Sequence, residues 1–211
     1  MPEIELFGAR QSTYLRVAWM TCEEKQASYA IRPGMPHSPE ILAMHPFGRI
    51  PVMRHGPVTL FESKAIATYV DRVVPGPPLI PQDPVGQARV EQWISAVNTS
   101  IEPVWTLYFR AHVFPKGPDG TVDQRAIAAQ LPAIQAHLHV LDRVLSASPW
   151  LAGDGFTLAD IAVLPILHYL HQFPEGAAMA SECDHVEAYF ATMSARPATR
   201  ATVPPPMSEI A

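Results

Sequence analysis

The spacing of hydrophobic residues changes several times in the first third of the chain. Ile4 and Leu6 alternate with polar residues, as in a strand, and apolar residues recur at helical spacing after Ser12. A second strand at 29–31 follows, and this order favours a parallel strand pair joined by a right-handed crossover. The next predicted elements are a short helix at 39–44, a hairpin of strands at 52–53 and 58–61, and an amphipathic helix at 66–74.

Beyond these elements the apolar residues follow only helical spacing. They form one face of a long helix at 90–108, which Pro103 is predicted to kink, and the clearest helical repeat of the chain at 127–145. These two helices are expected to pack antiparallel. Residues 157–160 have the spacing of a capping box ahead of an apolar, buried helix, and a last amphipathic helix is predicted at 186–193. The second part is therefore predicted to be all-α.

Proline positions divide the chain. Of the 211 residues 23 are proline, about twice the usual share, and five of them lie within 75–84. Because proline fixes φ and lacks a backbone donor, neither a helix nor a central strand can pass through this stretch. We therefore predict a first domain at 1–76, a linker at 77–84 and a second domain at 85–211, with an irregular tail around the prolines at 204–206.

Composition excludes several functional classes. Hydrophobic residues make up 48% and charged residues 17% of the chain, and the formal charge is −5, so we expect a globular fold and no nucleic-acid partner. The longest apolar run, 161–167, is far shorter than the roughly 18 residues of a membrane span, so no membrane association is expected. The first residues carry acids where a signal peptide carries a basic segment. Because the two cysteines, Cys22 and Cys183, lie far apart, a reducing, cytoplasmic location is expected.

Familiar catalytic motifs are absent from the sequence. It contains no G-x-S-x-G, G-x-G-x-x-G or Walker sequence, which argues against a serine hydrolase, a dinucleotide enzyme and a P-loop protein. His168 and His171 share the buried helix but have no third ligand nearby, so we interpret them as packing residues and expect no metal. Cys22 falls on the apolar face of its helix and is predicted to be a buried, unreactive thiol.

Four stretches carry a family resemblance. They are His-Pro-Phe-Gly-Arg-Ile-Pro-Val at 45–52, Leu-Phe-Glu-Ser-Lys-Ala-Ile at 60–66, Pro-Pro-Leu-Ile-Pro-Gln-Asp-Pro at 77–84 and Trp-Leu-Ala-Gly-Asp-Gly-Phe-Thr-Leu-Ala-Asp-Ile at 150–161. Together they resemble the cytosolic glutathione S-transferase family, in particular its serine-type, phi- and theta-like bacterial members. The resemblance implies an α/β thioredoxin-like N-terminal domain, an all-α C-terminal domain and glutathione as co-substrate.

Ser12 is the candidate catalytic residue. It lies where the first strand is followed by the first helix, so its hydroxyl can cap that helix or face a ligand at the positive helix end. The resemblance implies the second role, since serine-type members carry a serine followed four positions later by an arginine, as Ser12 and Arg16 do. A hydroxyl hydrogen bond and the helix end both favour the nucleophilic thiolate of glutathione. Thr13 and Tyr14 are alternatives for this role.

The resemblance also implies a set of glutathione-binding residues. The backbone of Ile50 would pair with the cysteinyl unit, and a cis bond before Pro51 would turn that backbone toward the ligand. Glu62 would pair with the ammonium group of the γ-glutamyl end, and Ser63 would bind its carboxylate together with a helix N-terminus. From the residues alone, a Ser63 helix cap beside a solvated Glu62 is the alternative.

Two further groups of candidates follow from the resemblance. Arg49 and His37 are candidates for the glycine carboxylate of glutathione, and the alternative for His37 is a solvated loop residue. The electrophile pocket is expected around Tyr14 and the late part of the long helix. Its candidates there, each of which is alternatively a packing residue, are Trp105, Tyr108, Phe109 and His112.

The implied function is conjugation of the glutathione thiolate to small hydrophobic electrophiles, which is a detoxification reaction. The family is usually homodimeric, and Phe47 occupies the loop position where some members insert an aromatic key into the partner. Two alternatives stay open at this point, because fold alone does not fix function. They are a glutathione-dependent isomerase, dehalogenase or peroxidase, and a non-catalytic binding protein on the same scaffold.

Overall fold

The computed structural model of the chain describes residues 3–114 and 121–206, which group into two compact units. The first unit contains β1 (Ile4–Phe7), α1 (Thr13–Glu24), β2 (Tyr29–Arg32), α2 (Pro39–Met44), β3 (Val52–His55), β4 (Val58–Phe61) and α3 (Ser63–Val73). The second contains α4 (Pro84–Ala96), a π-helical segment (Val97–Ile101), α5 (Glu102–Val113), α6 (Gln124–Ala147), α7 (Leu158–Leu170), α8 (Pro174–Ser181) and α9 (Asp184–Ala195). The first unit also includes α10 (Pro197–Ala201).

The four strands form one mixed sheet in the order β2-β1-β3-β4. β1 pairs with β2 in parallel, as predicted, whereas β3 runs antiparallel to both β1 and β4. α1 and α3 pack together, and one apolar core joins them to the sheet through Leu6, Leu15, Met53 and Ile66, all fully buried. A smaller core cluster of Phe7, Ile41 and Val52 includes a residue of α2. The α/β thioredoxin-like first domain is confirmed.

A buried ion pair holds the linker against the first unit. Lys25 Nζ lies 3.2 Å from Asp71 Oδ1, and both side chains are 1% exposed. Lys25 also donates to the carbonyl oxygens of Gly76 and Pro77, and Asp71 accepts from the N–H of Leu79 at 2.8 Å. Buried charges are stable only when they are paired and hydrogen-bonded. Residues 77–83 of the predicted linker contain neither helix nor strand, and the part up to Ile80 is held against this unit, whereas Pro84 already begins α4.

The C-terminal segment differs from the predicted division. The sequence assigns 85–211 to the second domain, whereas residues 196–206 group with the first unit. Arg196 donates two hydrogen bonds of 2.8 Å to the carboxylate of Glu24 in α1, and Arg16 Nη2 donates to the carbonyl oxygen of Thr199 at 3.5 Å. These contacts join residues more than 170 positions apart, which local periodicity does not reveal. Residues 207–211 of the predicted tail lie outside the described residues.

The region predicted as one long helix consists of α4, the π-helical segment and α5. The π-helical segment ends at Ile101, and Pro103 lies in the first turn of α5. Proline lacks an N–H and its ring crowds the preceding turn, so regular α-helical bonding is interrupted at the predicted place. α5 packs against α6, which confirms the predicted contact between these helices.

α7 forms the centre of the second unit, as its sequence predicts. The Thr157 side chain and the Asp160 carboxylate form the predicted capping box at its start. Most of the following residues of α7 are buried, on all sides of the helix. With α4, α5 and α9 packed against it, this helix completes an all-α second domain. None of the helices described within 3–114 and 121–206 is long and apolar enough to cross a membrane.

Candidate functional site

One end of the sheet carries most of the predicted site. Phe7 at the end of β1 pairs with Val52 at the start of β3, and Val52 pairs with Phe61 at the end of β4. The loop after β1, the loop before β3 and the first turn of α3 therefore start from the same end of the sheet. These three segments contain the predicted residues Ser12, Ile50, Pro51, Glu62 and Ser63.

Ser12 is the N-cap of α1. Its backbone is extended, and its Oγ accepts a hydrogen bond of 3.2 Å from the N–H of Leu15, so the cap alternative is confirmed. A serine hydroxyl that accepts one hydrogen bond still has its own hydrogen to donate. Ser12 is half-buried at the positive end of the helix, so it can cap α1 and donate to an anion at the same time. Thr13 and Tyr14, the first two residues of α1, are also half-buried and stay alternatives.

The peptide bond between Ile50 and Pro51 is cis, as the family resemblance implies. Pro51 is buried, and the half-buried Ile50 lies against the loop that follows β1. A Cβ atom on Gly8 would lie in ordinary contact with Ile50 Cβ, at 3.5 Å, and in tight contact with Leu15 Cδ2, at 3.3 Å. Gly8 belongs to none of the family motifs, and a glycine directly after a strand is its only signal in the sequence.

Glu62 has an unusual backbone at the start of α3. Its φ is 69°, and positive φ at a non-glycine residue is uncommon and clusters at functional sites. The Glu62 side chain is exposed, whereas Ser63, the first residue of α3, is 6% exposed. Glu62 occupies the cap position, so the alternative of Ser63 as the helix cap is wrong. An exposed acid thus lies next to a buried hydroxyl at a helix N-terminus, where a carboxylate is favoured.

His37 and Arg49 lie in neighbouring loops, and both side chains are exposed. The N–H of His37 donates to the carbonyl oxygen of Gly48 at 2.8 Å. A Cβ atom on Gly48 would lie 2.6 Å from His37 Nδ1, so the imidazole ring lies directly over this glycine. His37 therefore contacts the residue that precedes Arg49, and their binding role stays a prediction.

Trp105 and Tyr108 are buried side chains of α5, each 1% exposed. The hydroxyl of Tyr108 accepts from the N–H of Gly176 at 3.0 Å and donates to Glu175 at 3.2 Å. Burial raises the pKa of Tyr108 well above its ordinary range. These contacts favour the packing alternative for Tyr108, and burial favours it for Trp105.

Phe109 and His112, also on α5, are half-buried. The ring of Phe109 lies 4.5 Å from that of Tyr169, and the ring of His112 stacks on Phe173 at 4.2 Å. Burial lowers the pKa of His112, which Glu175, 3.3 Å away, partly opposes. A neutral imidazole among aromatic rings is compatible with an apolar ligand, and their electrophile-binding role stays a prediction.

The remaining titratable candidates have structural roles. Cys22 is fully buried, and burial raises the pKa of its thiol to about 12, so it is the unreactive thiol predicted. His171 stacks on Phe190 and lies 2.8 Å from Glu187, which confirms its packing role. Among the described residues, no group of three His, Cys, Asp or Glu side chains is placed to hold a metal ion.

The fold and the site together define a class of protein. A thioredoxin-like sheet presents a serine at a helix N-terminus, a cis-proline loop and an acid at a second helix start. In the sequence this unit is followed by an all-α domain. This combination is the one that the family resemblance implies for a glutathione-binding protein.

Comparison with known proteins identifies the family. Residues 6–78 and 103–197 match the models of the glutathione S-transferase N-terminal and C-terminal domains. Glutathione S-transferase 3 of Zea mays is 34% identical, with 100% of both chains covered, and GstB of Escherichia coli K12 is 29% identical over 97% of this chain and 100% of its own. The theta class glutathione S-transferase from Xanthomonas axonopodis pv. citri with glutathione bound has a TM-score of 0.84 and 27% identity, covering 98% of this chain and 100% of its own. The chain therefore belongs to the cytosolic glutathione S-transferase family, and its activity is glutathione transfer.

Proposed function

We propose that Ser12 activates the thiol of bound glutathione for attack on a small hydrophobic electrophile. The observation that carries this proposal is the half-buried Ser12 hydroxyl at the N-terminus of α1. The hydroxyl donates to the sulfur and the helix end adds positive potential, so the thiol releases its proton to solvent. The sulfur then forms a bond to the electrophilic carbon as the bond to the leaving group breaks. No step of this reaction needs a metal ion.

Glutathione is held, in this proposal, along the end of the sheet that carries Ser12. Glu62 pairs with the γ-glutamyl ammonium group, and Ser63 with the first turn of α3 binds the γ-glutamyl carboxylate. The backbone of Ile50 pairs with the cysteinyl unit as an added strand would. His37 and Arg49 bind the glycine carboxylate at the ligand's other end. This binding fixes the sulfur beside Ser12, so orientation adds to the effect of the lowered thiol pKa.

Within the helical unit, the electrophile is proposed to contact Phe109 and His112, which are half-buried, whereas Trp105 and Tyr108 support α5 by packing. Aromatic side chains favour flat, apolar electrophiles. Conjugation would convert such compounds into polar thioethers, which fits a detoxification role. A cytoplasmic location fits the two buried, free cysteines.

Replacing Glu62 by glutamine is expected to raise KM for glutathione about tenfold, because one charged hydrogen bond to the ammonium group is lost. The value of kcat at saturating glutathione should change less than twofold, since the sulfur site is untouched. Steady-state kinetics with varied glutathione measure both values. Glu40→Gln, which removes another exposed acid from a helix start of the same unit, is the control. An unchanged KM in Glu62→Gln would exclude the proposed contact.

We propose that the protein is a homodimer in which Phe47 enters the partner. Phe47 is 67% exposed, unusually high for a phenylalanine. Burying such a ring contributes about 2 kcal/mol, so Phe47→Ser should weaken the dimer at least tenfold. Light scattering over a range of protein concentrations measures this change. Val203→Ser, which removes another exposed apolar side chain, is the control, and a wild-type mass of one 23.2 kDa chain at all concentrations would contradict the proposal.

A further inference from the structure

His45 is a buried histidine in the loop that presents Phe47. It is the C-cap of α2 and is 2% exposed, whereas Phe47, two residues later, is 67% exposed. The centre of its imidazole ring lies 4.5 Å from that of the Phe61 ring. Buried polar side chains generally have a hydrogen-bond partner, and the partner of His45 lies in the same loop.

This partner is the backbone of Phe47. The N–H of Phe47 donates to Nδ1 of His45 at 3.1 Å, and the N–H of Gly48 donates to the carbonyl oxygen of His45 at 2.9 Å. The ring and the backbone of His45 therefore both stabilise the turn from which the Phe47 side chain projects. Because Nδ1 accepts a hydrogen bond, it carries no hydrogen, and the neutral ring has its hydrogen on Nε2.

Protonation of the His45 ring would remove its hydrogen bond to Phe47. Both ring nitrogens of an imidazolium are donors, so Nδ1 could no longer accept from the N–H of Phe47. That N–H would lose its partner, and a charge would lie at a buried position. The Phe61 ring offers such a charge a weak cation–π attraction, which does not replace the lost acceptor. The turn at 45–48 is therefore less stable when His45 is charged.

The charged groups around His45 offer little compensation for a charge on its ring. None of the ion pairs found within 3–114 and 121–206 includes His45. On the sheet face that contains Phe61, Glu5 pairs with Arg32 and Arg54. The titratable and charged groups of α2 and of the adjacent loops are all exposed, and solvent screens them; they are His37, Glu40, Arg49 and Glu62.

We propose that His45 makes the homodimer sensitive to pH: the neutral ring holds the turn that presents Phe47 to the partner, and protonation of the ring releases this turn. The inference rests on the proposed dimer contact of Phe47. Differences in affinity between related complexes appear mainly in the dissociation rate. The loss of one hydrogen bond, with a buried N–H left unpaired, should therefore speed dissociation about tenfold in acid.

Two substitutions of His45 separate its acceptor from its charge. In His45→Asn, Oδ1 can accept from the same N–H, because it is as many bonds from Cα as Nδ1 is, and an amide does not ionise at these pH values. His45→Leu provides neither an acceptor nor a charge. His37→Asn is the matched control, since His37 is an exposed histidine whose ring lies over Gly48 of the same turn.

The experiment measures the rate of subunit exchange between donor-labelled and acceptor-labelled protein by fluorescence energy transfer. Rates are compared at about pH 8 and about pH 5.5, within the range where histidine side chains commonly change charge. We expect the wild type and His37→Asn to exchange about tenfold faster at the lower pH. His45→Asn should exchange slowly at both pH values, whereas His45→Leu and Phe47→Ser should exchange fast at both. Thermal unfolding at both pH values checks that each protein is folded.

Equal exchange rates of the wild type at the two pH values would overturn the inference, as would a pH dependence that persists in His45→Asn. If one of the two His45 variants does not fold, the other decides: a rate independent of pH supports the inference, and a rate that depends on pH overturns it. The proposed dimer contact itself fails if the wild type is monomeric at the higher pH, or if Phe47→Ser exchanges as slowly as the wild type there. A dimer that depends on Phe47 but not on pH removes the present inference alone.

Discussion

Replacing Ser12 by alanine is expected to lower kcat for conjugation about 100-fold at pH 7, with the affinity for glutathione changed less than threefold. Loss of one preorganised donor to a developing or full anion typically has an effect of this size. The binding contacts of glutathione lie elsewhere, so they persist. The deficit should narrow above about pH 8.5, because a free thiol ionises there without help. Conjugation rates between pH 6 and 9, with glutathione affinity from calorimetry, measure these effects.

The control for this substitution must account for the cap that Ser12 provides. Loss of an N-cap side chain lowers the free energy of unfolding by about 1 kcal/mol. Asp83→Ala removes the N-cap of α4, where Asp83 Oδ1 accepts from the N–H of Gly86 at 2.8 Å, and should cost similar stability without the loss of rate. Ser12→Thr, which keeps a hydroxyl, should retain much of the rate. Full activity in Ser12→Ala, with loss in Thr13→Val or Tyr14→Phe, would assign the donor role to one of those residues.

Replacing Asp160 by asparagine is expected to lower the free energy of unfolding by about 3 kcal/mol. Asp160 is fully buried, and its Oδ2 accepts from the N–H and the hydroxyl of Thr157. Its Oδ1 accepts from the N–H of Leu151 and the hydroxyl of Tyr189. Asparagine has one acceptor oxygen, and its NH2 group would replace the other carboxylate oxygen. That NH2 group would face hydrogen-bond donors, so these buried donors would be left unpaired. Burial raises the pKa of Asp160, and these hydrogen bonds oppose that rise.

Urea unfolding measures the effect of Asp160→Asn on stability. The matched control is Asp184→Asn, in the first turn of α9, where the acid is exposed and a change below about 0.5 kcal/mol is expected. A loss of less than 1 kcal/mol in Asp160→Asn would show that the capping box is not a main source of stability in this unit. The glutathione affinity of Asp160→Asn below its unfolding transition should match that of the wild type, because Asp160 lies in the second unit.

Much of the fold follows from local patterns. The bounds predicted for α2 and β4 match those observed, because Ser38 caps α2 and a turn precedes β4. β3 is longer than the predicted 52–53, since Arg54 and His55 pair with β4 and the turn is limited to 56–57. α8 and α10 were not predicted, since they are short and α8 is rich in glycine and alanine, which leave little apolar periodicity. The return of 196–206 to the first unit depends on contacts between distant residues, and no local signal encodes them.

The candidate site, like the fold, has some features that sequence patterns predict and others that they do not. Motifs predict Ser12, Pro51 and Glu62 as site residues, and the strand register explains why these positions share one end of the sheet. The left-handed backbone of Glu62 has no sequence signature, because glutamate rarely adopts positive φ. The burial of Arg16 is also unexpected from sequence, since arginine is rarely fully buried. Both features depend on tertiary packing, which here outweighs local preference.

The most direct test of the account is a titration of glutathione into the wild-type protein and Ser12→Ala by calorimetry, with the ultraviolet thiolate absorbance recorded across pH. The account predicts that both proteins bind glutathione. It also predicts that the thiol pKa of bound glutathione falls well below about 8.5 in the wild type and returns toward that value in Ser12→Ala. A bound thiol with an unchanged pKa in the wild type, or a lowered pKa that persists in Ser12→Ala, would contradict the central role assigned to Ser12.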